Sequence, residues 1–161
     1  MRILILTRGA PGSGKTTWIR ENGLEPYTLS ADRLRLMYSA PELLPEGKLD
    51  VSQKVNKQVF RTLMDMLEIR MANGDLTVVD ACHSRTADFE KYKLPVKNHR
   101  YRTILVDFSD IGLEECRRRN QMRDPMSVIP ESSLERMHSQ LVQSSVPSWI
   151  QIFSHKDPIV L

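Results

Sequence analysis

Five side chains in this sequence are of types that handle phosphate and protons. Lys15 and Thr16 close the run Gly9-Ala10-Pro11-Gly12-Ser13-Gly14-Lys15-Thr16, which fits the pattern G-x-x-x-x-G-K-[ST]. Glycines let successive backbone N–H groups turn toward one anion, because no Cβ blocks the approach. A helix that starts behind them adds unpaired donors and the positive end of its dipole. In that setting Lys15 reaches the β- and γ-phosphates of a nucleotide, and the Thr16 hydroxyl ligates Mg²⁺. Residues 9–17, through Thr17, are therefore the candidate nucleotide-binding positions, for ATP or another nucleoside triphosphate. Asp32 is the candidate general base for an acceptor hydroxyl. Arg119 and Arg123, four apart across a helix end, can neutralise charge on the transferred group as lid arginines.

Three further readings complete this set. Arg35 lies one helical turn past Asp32, so the two share a face, and an arginine there suits an anionic acceptor. Asp80 ends an apolar run where a strand-end carboxylate can hold the water shell of Mg²⁺ or orient a neighbour. Arg35 and Asp80 are the substrate-side candidates, and Asp32 or Asp80 the outer-shell candidates for the metal. Arg117 and Arg118 read as a solvated basic helix end. The four histidines show no ligand spacing and read as scattered, His83 among them, and Met64, Met66, Met71 and Met137 fit apolar helix faces.

Alternating strands and helices must position these residues. Ile3 to Leu6 is a first strand, followed by the glycine loop and a helix that ends near Gly23. Tyr27 to Ser30 is a short second strand, with Ser30 or Asp32 as cap of the next helix. Residues 40–49, with Pro41, Pro45 and Gly47, read as an exposed loop. Val51, Val55, Val59, Leu63, Met66 and Leu67 trace a long amphipathic helix, started by Asp50 or Ser52 and ended at Asn73-Gly74. Leu76 to Asp80 has the look of a buried parallel strand. A helix over 86–94 should break at Pro95, and 101–108 is another strand. Asp110 can cap the arginine-rich helix, 124–130 is a loop whose residues 124–127 can form a mobile lid, and Ser132 to Glu135 holds a capping-box pattern. Trp149 to Phe153 suggests a last strand. The expected fold class is α/β: a parallel sheet flanked by helices on both faces, with a helical lid and the ligands at the carboxyl rim of the strands.

Composition narrows the setting. The 161 residues suit one domain, with 40% hydrophobic and 27% charged residues and a net charge of +3. That excess permits a polyanionic partner without demanding one. Two cysteines, without metal spacing, suit a reducing compartment, so a cytoplasmic location is expected. No apolar run approaches the length of a membrane span.

Together the residues resemble the 5′-hydroxyl polynucleotide kinase domain of bacteriophage and bacterial end-healing enzymes, in the P-loop kinase superfamily. The resemblance rests on residues 9–18, on Ser-Ala-Asp-Arg-Leu-Arg at 30–35, on Val-Val-Asp at 78–80, on Arg-Asn-Gln-Met-Arg at 119–123 and on Val-Ile-Pro at 128–130. It implies the P-loop NTPase fold over residues 1–161, standing alone or as one module of a larger end-processing protein. It implies transfer of the ATP γ-phosphate to the 5′-OH of single-stranded or end-exposed RNA or DNA, for RNA or DNA repair. Lys15 and Thr16 would bind nucleotide and Mg²⁺, Asp32 would be the base, Arg35 would contact the phosphate next to the acceptor nucleoside, and Arg119 and Arg123 would sit on the ATP phosphates. One departure is visible: the family often has Thr-Asn after the strand-end aspartate, where this chain has Cys82-His83. Two other readings share the loop, a small-molecule kinase for a sugar, amino sugar or antibiotic and a nucleotide-dependent switch.

Overall fold

The apolar residues of the strands alternate between two destinations, and that alternation builds the sheet. In the computed structural model, which describes residues 1–43, 49–50, 55–123 and 125–158, Leu4 and Leu6 face one core while Ile3 and Ile5 face another. All four belong to strand β1 (Ile3–Arg8), which is buried along its whole length. A strand buried on both faces belongs at the centre of a parallel sheet. The five-stranded sheet runs β2 (Thr28–Ser30), β5 (Thr77–Asp80), β1, β6 (Arg102–Asp107) and β7 (Gln151–Ser154), every neighbouring pair parallel. The register aligns Ile5 with Val78 on one side and with Ile104 on the other.

Helices α2 (Ala31–Tyr38), α3 (Asn56–Asn73) and α4 (Glu90–His99) supply Leu34, Val59, Leu63, Leu67, Met71 and Tyr92 to the first core. Helix α1 (Lys15–Glu21) supplies Trp18 and Ile19 to the second, where Trp18 meets Phe108 edge-on. A third, small cluster of Ala10, Cys116 and Leu134 joins the glycine loop to α5 (Leu113–Gln121) and α6 (Glu131–Gln143). The expected α/β fold, a parallel sheet with helices on both faces, is the one observed. No helix among the described residues is long and apolar enough to cross a membrane.

Several boundaries differ from the sequence reading, each for a local reason. Ser30, not Asp32, caps α2 by accepting from the Arg33 N–H at 3.4 Å, which leaves the Asp32 carboxylate uncommitted to the helix end. Pro95 sits inside α4 because its ring is buried with Tyr92, so packing offsets the lost backbone hydrogen bond. Asp110 does not cap α5. Its carboxylate is taken by Lys156 at 2.7 Å and His155 at 3.0 Å, which hold its pKa low, and Gly112 precedes the helix instead. The capping box at 132–135 goes unused: Pro130 precedes α6, and Glu135 reaches Arg117. Met66 is exposed on α3, not on its apolar face. Asp50 does not start α3; it lies in a two-residue strand, β4 (Leu49–Asp50), antiparallel to β3 (Glu42–Leu43). The rest of the expected 40–49 loop, the Val51 and Ser52 helix start and Asp124 of the lid loop lie outside the described residues.

Arg8 ties the layers together at the end of β1. It pairs with Asp107 of β6 at 3.1 Å and donates from Nη2 to the Leu141 and Ser144 carbonyls at 2.7 and 3.1 Å. Those carbonyls lie at the C-terminal end of α6, where the Leu141 carbonyl also accepts from Ser144, so a buried guanidinium adds to the α6 C-terminal cap.

Candidate functional site

The glycine loop turns on two residues in the left-handed region, Gly12 at φ +82° and Gly14 at φ +104°. At Gly12 space is also decisive: a Cβ would come within 2.6 Å of the Cys116 backbone carbonyl. At Gly9 a Cβ would lie 2.8 Å from that of Phe108. The loop thus needs glycine both for its dihedrals and for its contact with neighbouring backbone. Lys15 folds back into it, donating from Nζ to the Gly9 and Ala10 carbonyls at 2.8 and 2.9 Å.

Beside the loop, Thr16 donates from Oγ1 to Asp80 Oδ2 at 2.8 Å. Asp80 is therefore coupled to the nucleotide side rather than standing as a plain turn residue. Both offer oxygen, the donor type a hard divalent cation takes, and Mg²⁺ ordinarily needs only one or two protein ligands beside substrate phosphates and water.

From the other side α5 brings Arg119, whose Nη1 donates to the Ser13 carbonyl at 3.3 Å while its Nε donates to Glu115 at 2.6 Å. Hydrogen bonds from Arg118 and then Arg119 hold the Glu115 carboxyl down at about 2. Arg117 is tied to Glu114, Glu131 and Glu135, which lock α5 against α6. Asn120 closes the same hairpin: its Nδ2 donates to the Ile129 carbonyl at 2.8 Å and its Oδ1 accepts the Ile129 N–H at 3.1 Å. Arg123, half-buried, lines the cleft beyond.

Asp32 and Arg35 line the same cleft from α2 and are joined by an ion pair. Arg35 also donates from Nε to Asn56 at 2.7 Å, and its side chain is only 14% exposed. The cleft, about 1390 Å³, brings together residues 11–17, Asp32, Arg35, Asp80, Arg119 and Arg123. Gly9 and Ala10 do not line it; they form the buried base of the loop and present carbonyls to Lys15.

The sequence reading missed His83. It is buried at the turn after β5, at φ +43°, stacked on Phe89. Its Nδ1 meets the Thr7 carbonyl at 2.6 Å and its Nε2 the Tyr92 hydroxyl at 2.9 Å. A carbonyl only accepts, so Nδ1 carries the proton and Nε2 accepts from Tyr92. Burial lowers its pKa to about 4, so the ring is neutral at pH 7. The departure from Thr-Asn at Cys82-His83 was the one signal that marked this turn. Also unforeseen on the cleft wall are Phe60, Ser84, Arg85, Asp88, Lys91 and Gln140.

A phosphate loop at the end of a central parallel strand, with a carboxylate ending the neighbouring strand and arginines on a helical hairpin, defines a P-loop fold of the kinase type, a nucleotide-binding fold. The AAA_33 family model, described as an AAA domain, matches residues 4–143, and the chain belongs to that family. A chain of the Pnkp1/Rnl/Hen1 RNA repair complex superposes with a TM-score of 0.72 at 22% identity, covering 88% of this chain and 44% of that one. This chain thus spans less than half the length of that relative. Kti12 of Chaetomium thermophilum, solved with ADP-AlF3, superposes at 0.62 with 18% identity, covering 96% of this chain and 90% of that one. A sugar kinase from Janibacter sp. HTCC2649 superposes at 0.59 with 18% identity, covering 98% and 87%. No curated protein matches.

Proposed function

We propose that this chain is an ATP-dependent kinase for the 5′-hydroxyl end of RNA or DNA. The observation that carries the reading is the Asp32–Arg35 pair in the cleft that holds the phosphate loop. A carboxylate whose helix-capping role has passed to Ser30 is available to take a hydroxyl proton. An arginine beside it, largely shielded from water, suits the phosphate that follows the 5′ nucleoside. The fold likeness to a chain of an RNA repair complex supports the same reading.

In the proposed reaction Asp32 takes the proton as the 5′ oxygen attacks the γ-phosphorus, and the bond from that phosphorus to the β–γ bridging oxygen breaks to release ADP. Lys15 leaves the Gly9 and Ala10 carbonyls for the phosphates. Arg119 and Arg123 spread the charge that develops on the transferred group. Thr16 and Asp80 would hold Mg²⁺, which neutralises the β- and γ-oxygens when bound.

End-labelling with γ-labelled ATP tests this directly. A 5′-OH oligonucleotide should accept label and a 5′-phosphorylated one should not. Because a sugar kinase shares the fold, sugars and amino sugars belong in the same panel. Label on a small hydroxyl compound with none on the oligonucleotide would replace this reading with the small-molecule one.

A further inference from the structure

Among the described residues, one lysine on the cleft wall forms no ion pair. Lys91, the second residue of α4, lines the cleft with Asp32 and Arg35. Its ammonium lies 4.5 Å from the Phe60 ring centroid and 5.1 Å from that of Tyr92. The Arg35 guanidinium lies 5.9 Å from the same Phe60 centroid, so one phenyl ring of α3 carries both cations.

The carboxylate one helical turn before Lys91 is already committed. Asp88 Oδ1 accepts from Arg85 Nε at 3.1 Å and Nη2 at 2.8 Å, and its Oδ2 accepts the Arg85 backbone N–H at 2.9 Å. Among the described residues Lys91 forms no ion pair and no hydrogen bond; its contacts are the two rings. Burial lowers its pKa, with Asp88 partly offsetting that effect. An ammonium stripped of part of its water and given no anion carries a cost that an incoming anion relieves. Nothing in the phosphoryl-transfer scheme uses it.

We infer that Lys91 is a specificity-determining residue for the acceptor: it binds a backbone phosphate of a polynucleotide beyond the one taken by Arg35, and so selects chains over single nucleotides. The inference rests on the proposed kinase reading. Arg35, paired with Asp32, serves the phosphate nearest the accepting hydroxyl. Lys91 and Arg35 line the same cleft and both lie against the Phe60 ring, so the cleft offers a second cation beside the one paired with Asp32. The volume of the cleft exceeds the roughly 300–1,000 Å³ usual for one small ligand, which leaves room for an acceptor beside the nucleotide.

The test compares two acceptors in one assay: a nucleoside 3′-monophosphate, with the single phosphate that Arg35 would read, and a 5′-OH oligonucleotide. Lys91→Gln should raise the oligonucleotide KM about tenfold, as loss of one charge-assisted contact does. The KM values for the 3′-monophosphate and ATP should not move. The salt dependence of the oligonucleotide KM should flatten by about 0.7 in the log–log slope, the share of one phosphate contact on a single strand. Lys91→Arg should restore both. Because the readout is a ratio of two acceptors on one protein, a general folding defect cancels. An equal rise for both acceptors overturns the inference, as does an unchanged oligonucleotide KM with the full salt slope. If the wild-type protein labels neither acceptor, the kinase reading itself fails and this inference falls with it.

Discussion

The two halves of the cleft are built in opposite ways. In the proposed donor half Lys15, Thr16 and Arg119 each have an internal partner. Lys15 is 8% exposed and donates to two carbonyls of its own loop, Thr16 holds Asp80, and Arg119 rests on Ser13. In the proposed acceptor half Asp32 is paired with Arg35 yet its side chain is 80% exposed, and among the described residues Lys91 forms no ion pair and rests against two aromatic rings. A nucleotide phosphate has the same shape in every encounter, so backbone can be shaped to it in advance. An acceptor end varies, and in the proposed reading it would be met by more exposed side chains.

Three substitutions probe this contrast, from the largest effect to the smallest. Lys15→Ala should remove at least ~10³-fold of the transfer rate, at or beyond the upper range for one transition-state donor. The melting temperature should change little, because the lysine contributes charge to a loop and no volume to either core. A variant that melts much earlier would mean the self-paired lysine is a structural brace, and the donor half would then be a fold element first. Asp32→Asn should lower kcat by ~10²–10⁴ while leaving the KM for ATP unchanged. A matched loss in ATP affinity would place Asp32 in the donor half and erase the division.

The smallest effect concerns His83, which backs both halves through Thr7 and Tyr92. Burial holds its pKa at about 4 in the folded chain, against 6.5 for a histidine in water. Between those values the unfolded chain binds more protons than the folded one, so stability falls as pH drops from 6.5 to 4 and is fully present above that window. The contribution lost amounts to ~3 kcal/mol for this group. Asparagine tolerates positive φ, so His83→Asn should keep the turn and flatten that part of the pH–stability curve. Chemical denaturation at pH 7 and pH 4.5 checks it, and an unchanged difference between the two pH values would assign the acid sensitivity elsewhere.

The same contrast explains what could be read in advance. The donor half is local: a strand, a glycine run and a helix lie within twenty residues, and spacing alone carries their meaning. Asp32 and Arg35 were legible because one helical turn joins them. Phe60 and Lys91 were not. Phe60 belongs to a helix whose apolar spacing serves the core, and Lys91 looks like any surface lysine until tertiary packing brings both to one wall. Asp110 and Ser132 had the residue types of helix caps and lost the role for tertiary reasons. Lys156 and His155 occupy Asp110 from 46 and 45 residues away, and the Arg117 cluster takes Glu135 out of the box that Ser132 would open. His83 holds its place through backbone angle and burial, neither of which its residue type announces.

The close approach of Gly12 to Cys116 has a mechanical consequence. Here the main chain of the loop bears on the main chain of α5, with no side chain between them to yield, and at Gly14 the next neighbour is the Arg119 guanidinium itself. Close-packed surfaces of this kind transmit displacement instead of absorbing it. Loop and helix are thus geared: a displacement of the glycine loop would be passed on to α5, the helix that carries Arg119.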